Sequence, residues 1–163
     1  MGIFDRLNIQ QPGQQQQKPT EFTGKLQLDD FWVAGIQYHK NAILAISTEN
    51  PDFRKTAQEL RKYRTGAFTV DRYKYKTEPV VLILEPGNKN DKNAVKVYVH
   101  DQHVGYVPRD HSKRIHDILM TAKLEAVEAR IDGGEYRVVF EDGKENRGTE
   151  NVKIHVLMAY RKP

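Results

Sequence analysis

The stretch NAVKVYVHDQHVGYV, residues 93–107, decides the fold. Val95, Val97 and Val99 alternate with Lys96, Tyr98 and His100, a period of two that sends one set to a buried face and the other outward. Asp101-Gln102 is then a short reversal, and residues 103–107 return as the second arm of a β-hairpin. Downstream, Pro108-Arg109-Asp110 starts a helix in which Ile115, Ile118, Leu119 and Ala122 recur at i, i+3, i+4 and i+7. Beyond it, residues 124–131 and 136–141 flank Gly133-Gly134 as a second hairpin, and Val152, Ile154, Val156 and Met158 alternate in a closing strand. Upstream, residues 79–84 have the continuous apolar character of a buried strand, and residues 67–75 read as another. Residues 31–38 are a further apolar run, with Gly35 inside it marking a bulge or a close backbone approach.

One helical stretch interrupts these strands. Asn50-Pro51-Asp52 supplies a cap, a first-turn proline and an acid for the positive end of the dipole, and the helix is expected to run to about Tyr63. Phe53, Ala57 and Leu60 form its apolar stripe, and Thr65-Gly66 its stop. No internal repeat is found. Many short strands with one helix between hairpins predict a mostly β fold, a small β-barrel of OB-like character, with a basic helix inserted.

The chain has 163 residues, 38% hydrophobic and 29% charged, enough for one modest core and a tail but not for two full domains. Cysteine is absent, which excludes a disulfide framework, a thiolate nucleophile and a zinc site built on cysteine. The opening MGIFDRLN has no apolar h-region, and nothing later approaches the ~18 apolar residues of a membrane span, so a soluble, unexported, cytoplasmic protein is expected. Gly2 is not placed for myristoylation, because position 6 is Arg6 rather than Ser or Thr. Residues 10–19, QQPGQQQQKP, bury too little to offset chain ordering. Residues 1–24 are therefore a leader and disordered linker, and residues 25–163 the domain. Ile3, Phe4 and Leu7 give the leader a helix-like spacing too short to hold a helix alone.

The net charge of +4 is unevenly distributed. Residues 53–76 carry eight Lys or Arg against Glu59 and Asp71, a net +6, while residues 117–152 carry five basic against nine acidic residues, a net −4. Such a pair of regions orients a partner, and a polyanion suits the basic one. A solvated charged helix gives the same pattern.

Catalytic chemistry finds little support. The six histidines include no His-Glu-x-x-His array, and His100 and His103 straddle the hairpin turn with no cysteine beside them. EPGNKND, residues 85–91, lacks the second glycine and the closing Gly-Lys-Ser/Thr of a phosphate loop. Ser47 and Ser112 are the only serines, and neither sits in a nucleophile elbow. No enzyme activity and no cofactor are expected. A metal-dependent nuclease using Asp91 with His100 or His103 is the remaining catalytic alternative. Binding chemistry is better supplied. The loop NKNDKN, residues 88–93, is dense in short polar groups that fix a turn, and Tyr38, Tyr106, Arg109 and Tyr136 stand at element ends around it. Aromatics beside cations suit single-stranded nucleic acid, since stacking contributes roughly 1–3 kcal/mol per base without a base code. The same tyrosines also fit the edge of a core with their hydroxyls in water.

The runs VAGIQY at 33–38, LILEPGNKNDKNAVKV at 82–97 and HVGYVPR at 103–109 together resemble the HIRAN domain, over about residues 31–140. The resemblance implies an OB-like fold that holds the 3′ end of single-stranded DNA, as a recognition module of fork-remodelling helicase-like proteins or beside nucleases in microbes. It therefore implies DNA binding in a DNA-repair setting, with single-stranded DNA and a helicase or nuclease as partners. Carried onto this chain, the family's aromatic pair falls on Tyr38 and His39, with Tyr38 stacking on a base. The loop acid near the terminal hydroxyl matches Asp91, with Lys92 and Asn93 beside it. The basic residue at the helix start matches Arg109, suited to a phosphate by the helix N-terminus. Tyr106 replaces a His of some relatives, and Tyr136 aligns with a later stacking aromatic. Gln37 stands where relatives have Arg, and Asn90 where an aromatic can precede the loop acid. Residues 47–76 read as an insertion, and Arg61, Lys62 and Arg64 within it are expected to track the phosphate backbone in place of the missing Arg. A protein-interaction adaptor that binds no nucleic acid is the alternative from another class.

Overall fold

The computed structural model describes residues 20–163, so the leader with Ile3, Phe4 and Leu7 and most of the Gln-rich linker lie outside the described residues. Among the described residues strand exceeds helix, 46% to 22%, and the fold is mostly β. Its first elements are β1 (Gln27–Trp32), a 3-10 turn (Ile36–Tyr38), α1 (Lys40–Ile46) and β2 (Ser47–Glu49). A second 3-10 turn (Pro51–Arg54), α2 (Ala57–Arg61), β3 (Phe68–Asp71), β4 (Tyr73–Tyr75) and β5 (Val80–Leu84) follow. The chain closes with β6 (Val95–Val99), β7 (Gln102–Tyr106), α3 (Arg109–Thr121), β8 (Lys123–Val139) and β9 (Glu145–Arg161).

Three antiparallel sheets result, with orders β1-β9-β8-β3, β2-β4 and β5-β6-β7. The alternation that opened the sequence sets the core: Val95, Val97 and Val99 are all fully buried, as are Val104 on β7 and Ile154 and Val156 on β9. Each such valine contributes roughly 1.5–3 kcal/mol, an upper bound for a partly collapsed unfolded chain. Phe31, Ile43, Ile46, Ile115, Ile118 and Met158 complete this cluster. The helix between the two hairpins thus stands as expected, with Ile115 and Ile118 inward.

Several expected boundaries move. The β6–β7 turn is His100-Asp101, both at positive φ (46° and 63°), rather than Asp101-Gln102. That choice pairs Val99 with Gln102 and Tyr98 with His103, and so decides which side chains face outward together. Gly133-Gly134 is not a hairpin turn. β8 runs straight through it with a register shift between Asp132 and Gly134, and the reversal comes at residues 140–144, where Gly143 N–H bonds the Phe140 carbonyl. Such a bulge leaves one residue unpaired and bends the strand without ending it. The expected strand over 31–38 ends at Trp32, because Gly35 takes φ 80° and turns the chain into the 3-10 turn that carries Tyr38. The strand over 67–75 is broken at Arg72 into β3 and β4. β5 is half exposed, with Val81 at 43% and Ile83 at 44%, since it pairs only with β6.

The helix expected from Asn50 to Tyr63 is two pieces. The Asn50 side chain caps the first by accepting from the Asp52 N–H, but Thr56 and Glu59 form a capping box that restarts the helix at Ala57. Phe53, Leu60 and Val70 make a second, small core under this segment, with Phe68 against it. Arg137, 2% exposed, ties it down from β8: Nη1 donates to the carbonyls of Phe53 (2.8 Å) and Lys55 (2.5 Å), and Nη2 to Glu145 (2.6 Å). β3 meanwhile pairs with the outer edge of β8, from Phe68 opposite Val139 to Asp71 opposite Tyr136.

Candidate nucleic-acid interface

The geometry begins with a close backbone crossing. Ala34 and Tyr106 exchange hydrogen bonds of 2.8 and 2.9 Å, which dock the segment after β1 against the end of β7. Gly105 permits it: a Cβ there, at φ 153°, would collide with the Ala34 carbonyl oxygen and come within 2.7 Å of Val33 Cγ1. The 3-10 turn that follows presents Tyr38, 82% exposed, and sets His39 against β7. The His39 ring centroid lies 4.3 Å from that of His103 and 6.4 Å from that of Tyr106. His103 in turn stacks on Tyr98 at 5.1 Å and meets Tyr106 edge-on at 5.0 Å. The result is a ledge of four rings, with exposed Tyr38 adjoining its His39 end along the chain.

Burial, and secondarily the positive field of His39, hold the His103 imidazole below its ordinary range. Burial and the neighbouring Glu85 push the Tyr106 hydroxyl up. Glu85 carries the ledge into the polar loop: it accepts from Asn88 Nδ2 at 3.2 Å and lies 3.6 Å from Lys96 Nζ. Asn88 Oδ1 accepts the N–H groups of Asn90 (2.9 Å) and Asp91 (3.1 Å), which is the turn chemistry its short side chain supplies. Asp91 Oδ1 accepts the Asn93 N–H at 2.8 Å, and Oδ2 accepts the Ser112 hydroxyl at 2.6 Å. Those two bonds, Ser112 first, with weaker fields from Arg109 and His116, hold the Asp91 carboxyl below the usual carboxylate range. Ser112 is on the first turns of α3, and Arg109 opens that helix with its side chain exposed. A helix N-terminus leaves backbone N–H groups unpaired and favours anions.

His39 and Tyr106 are therefore joined by ring contacts, and Asp91, Asn93 and Arg109 by hydrogen bonds that run through Ser112, with Glu85 between the two groups; Tyr38 adjoins His39 along the chain, and exposed Lys92 is in the loop. The others lie elsewhere. Tyr136 covers Gly148 and lines a different depression, with Tyr73, Lys74 and Tyr75. Arg61 Nη1 donates to the Gly66 carbonyl at 2.6 Å and Nη2 to the Phe140 carbonyl, while Arg64 pairs with Asp52 at 3.1 Å. Both guanidinium groups lie over the Phe68 ring, at 5.3 and 5.2 Å. These arginines clamp the 47–76 segment to the domain, and of the three basic residues singled out there only Lys62 has neither a hydrogen bond nor an ion pair from its side chain among the described residues.

Sequence reasoning missed Tyr98, His103 and Glu85 as members of the site. A turn placed at His100-Asp101 puts Tyr98 opposite His103 on the outward face, so the signal was the turn position. The expected histidine pair is split. His100 shares a ring nitrogen contact of 2.8 Å with the Glu78 carbonyl, and His103 sits within the aromatic ledge. Among the described residues, no group of three or more His, Asp or Glu side chains converges as metal ligands do.

Fold and site together define a small β-rich module whose outward chemistry is aromatic at one end and polar at the other. Residues 54–156 match the family model of the HIRAN domain, and the chain belongs to that family, which is generally linked to DNA binding. Comparison with curated proteins and with solved structures gave no match. The matched span holds the loop, Tyr106, Arg109 and Tyr136; Tyr38 and His39 precede it and are brought to it by the Ala34–Tyr106 pairing. No helix among the described residues is long and apolar enough to cross a membrane.

Proposed function

We propose that the chain is a non-catalytic module binding single-stranded DNA, with 3′ ends as its preferred target. The observation that carries this is the ring cluster of His39, Tyr98, His103 and Tyr106, with exposed Tyr38 next to it in the chain, beside a hydrogen-bonded loop that reaches the N-terminus of α3. Tyr38 stacks on a base, and Arg109 with the helix N-terminus takes a backbone phosphate. His39 and Tyr106 extend the platform. Asp91 already uses both carboxylate oxygens internally, so it faces a terminal hydroxyl through a remaining lone pair and works mainly by holding Lys92 and Asn93 in place. The three sheets act as an OB-like barrel in this reading, and residues 47–76 as an insertion on it. Remodelling or cleavage of DNA falls to a helicase or nuclease partner, as in DNA repair.

Fluorescence anisotropy with a labelled strand bearing a 3′ hydroxyl, the same strand with a 3′ phosphate, and a blunt duplex tests it. The hydroxyl strand binds tightest, and Tyr38→Ala weakens it about 5- to 100-fold with no loss of thermal stability. Equal binding of all three, or a Tyr38→Ala variant that binds as the parent does, overturns the proposal.

A second use, docking of a protein, is favoured by one observation. Edge strand β1 exposes Leu28 (78%) and Trp32 (52%) beside an apolar depression that also contains Leu157 and Ala159. A complex that persists at high salt and is lost in Leu28→Glu supports it.

A further inference from the structure

A cavity of about 510 Å3 opens between the 3-10 turn at Pro51–Arg54, the start of α2 and the β8–β9 hairpin. It shares no residue with the aromatic ledge or with the polar loop. Five cationic side chains line it, those of Arg54, Lys55, Arg72, Arg137 and Arg147, against the two carboxylates of Glu49 and Glu145, a formal net of +3 in a concave space. Low-dielectric walls around like charges focus the potential outward into such a space.

The donors of these guanidinium groups are not used up. Arg54 gives Nε and Nη2 to Glu49 (2.5 and 3.1 Å) and keeps Nη1. Arg72 gives Nη1 to Glu135 at 2.7 Å, and its Nε is enclosed with no acceptor among the protein atoms. Arg147 lies over the Phe53 ring at 5.5 Å and comes no nearer than 4.0 Å to Glu145, too far for a hydrogen bond. Behind them Arg137 is 2% exposed, and its Nε also has no acceptor among the protein atoms. An enclosed, unpaired N–H on a charged group is costly, so two of them in the walls of one cavity are a specific feature.

We infer that this cavity is a binding site for a phosphate-type oxyanion, with Arg54, Arg72 and Arg147 as its ligands against the buried Arg137. Guanidinium forks match the paired oxygens of a phosphate, and several of them converge only where more than one negative charge is to be held. A single carboxylate does not need this, since Glu49 and Glu145 already occupy that role. The volume admits a pyrophosphate or one backbone phosphodiester with parts of its two sugars, within the range of small-ligand sites.

The test is a two-dimensional NMR titration of the 15N-labelled full chain, including the arginine Nε–H resonances. One arm uses sodium pyrophosphate, the other an oligothymidylate with no terminal phosphate. Saturable shifts are expected at Thr56, Ala57, Arg72 and Arg147, weakened roughly tenfold or more in the double variant Arg54→Gln with Arg147→Gln. Both of those side chains are largely exposed, 74% and 63%, so the fold survives their loss. Shifts with pyrophosphate alone assign the site to a free or terminal phosphate, and shifts with both probes extend it to a strand backbone. Tyr38→Ala leaves the pyrophosphate arm unchanged, which separates this site from single-strand binding at the ledge. No saturable shift with either probe overturns the inference, as does a double variant that binds both as tightly as the parent.

Discussion

Removing one hydroxyl, in Ser112→Ala, tests how the polar loop is held. The Ser112 side chain is 2% exposed, and its only charged acceptor is Asp91 Oδ2 at 2.6 Å. The carboxylate keeps the Asn93 N–H on its other oxygen, and the loop keeps the bond from Ala94 N–H to the Asp91 carbonyl at 3.0 Å, so the loop loosens without detaching. A hydrogen bond to an ionised group contributes about 1.5–3 kcal/mol, and with roughly 2–4 °C per kcal/mol for a chain of this size the melting temperature falls by about 3–12 °C. Differential scanning calorimetry at neutral pH measures it. The dependence on pH follows from linkage. The folded Asp91 pKa lies below its ordinary value of 3.8, so the bond stabilises the protein fully above 3.8 and is lost as the pH falls through the folded value. The gap between parent and variant therefore narrows in acid. A melting temperature within about 1 °C of the parent at neutral pH refutes the reasoning, because the loop would then be held by something other than this contact.

Three further outcomes follow from the same contacts. Gly105→Ala breaks the Ala34–Tyr106 pairing, costing roughly 2–4 kcal/mol in urea unfolding from two lost backbone bonds and a strained φ, and hydrogen exchange at the Ala34 amide accelerates with it. Arg61→Ala lowers stability by about 2–3 kcal/mol through lost bonds to Gly66 and Phe140 and the lost contact with Phe68, whereas Lys62→Ala stays within about 0.5 kcal/mol. Equal effects of the two would show that the clamp is not structural. The folded His103 pKa lies below 6.5, so its stabilising contribution is present above pH 6.5 and is lost as the pH falls through the folded value. An NMR titration of the His103 ring with a midpoint at or above 6.5 would contradict this.

The parts of the fold legible in the sequence were those in which one physical rule acted alone. Val95, Val97 and Val99 alternate on a strand with one buried face, and Ile115 and Ile118 repeat on a helix with one buried stripe, so periodicity fixed both. Where two rules competed, boundaries slipped. Gly133-Gly134 has turn composition, but pairing on both sides of it, to β9 throughout and to β3 beyond it, outweighed a local reversal and left a bulge. Thr56 and Glu59 had the spacing of a capping box, hidden inside a stretch whose Asn50-Pro51 opening already read as a helix start. α1 was missed, since it is seven residues long and buries only Ile43 and Ile46, too few to show a helical period. Of the site, the loop and the start of α3 were legible because short polar side chains act on their own backbone. Arg61 and Arg64 were not, because charge in a sequence says nothing of which carbonyl or carboxylate lies nearby. Arg137 reads as an ordinary outward strand residue until the segment at 53–55 is laid across it.

The Gly24 N–H donates to the Lys162 carbonyl at 3.1 Å, and Arg161 Nη1 returns to the Gly24 carbonyl at 3.0 Å. The two ends of the β1–β9 pair are thus fastened side by side, which gives the domain a single point of attachment. It can be spliced into a surface loop of a host protein without stretching either partner. It can equally be circularly permuted, with a short connector joining 162 to 24 and new ends cut at the exposed Asp142-Gly143 reversal. A fragment trimmed to the matched span, by contrast, discards Phe31, Ile43 and Ile46 from the main core and leaves β9 with an open edge, so it is the wrong piece to express.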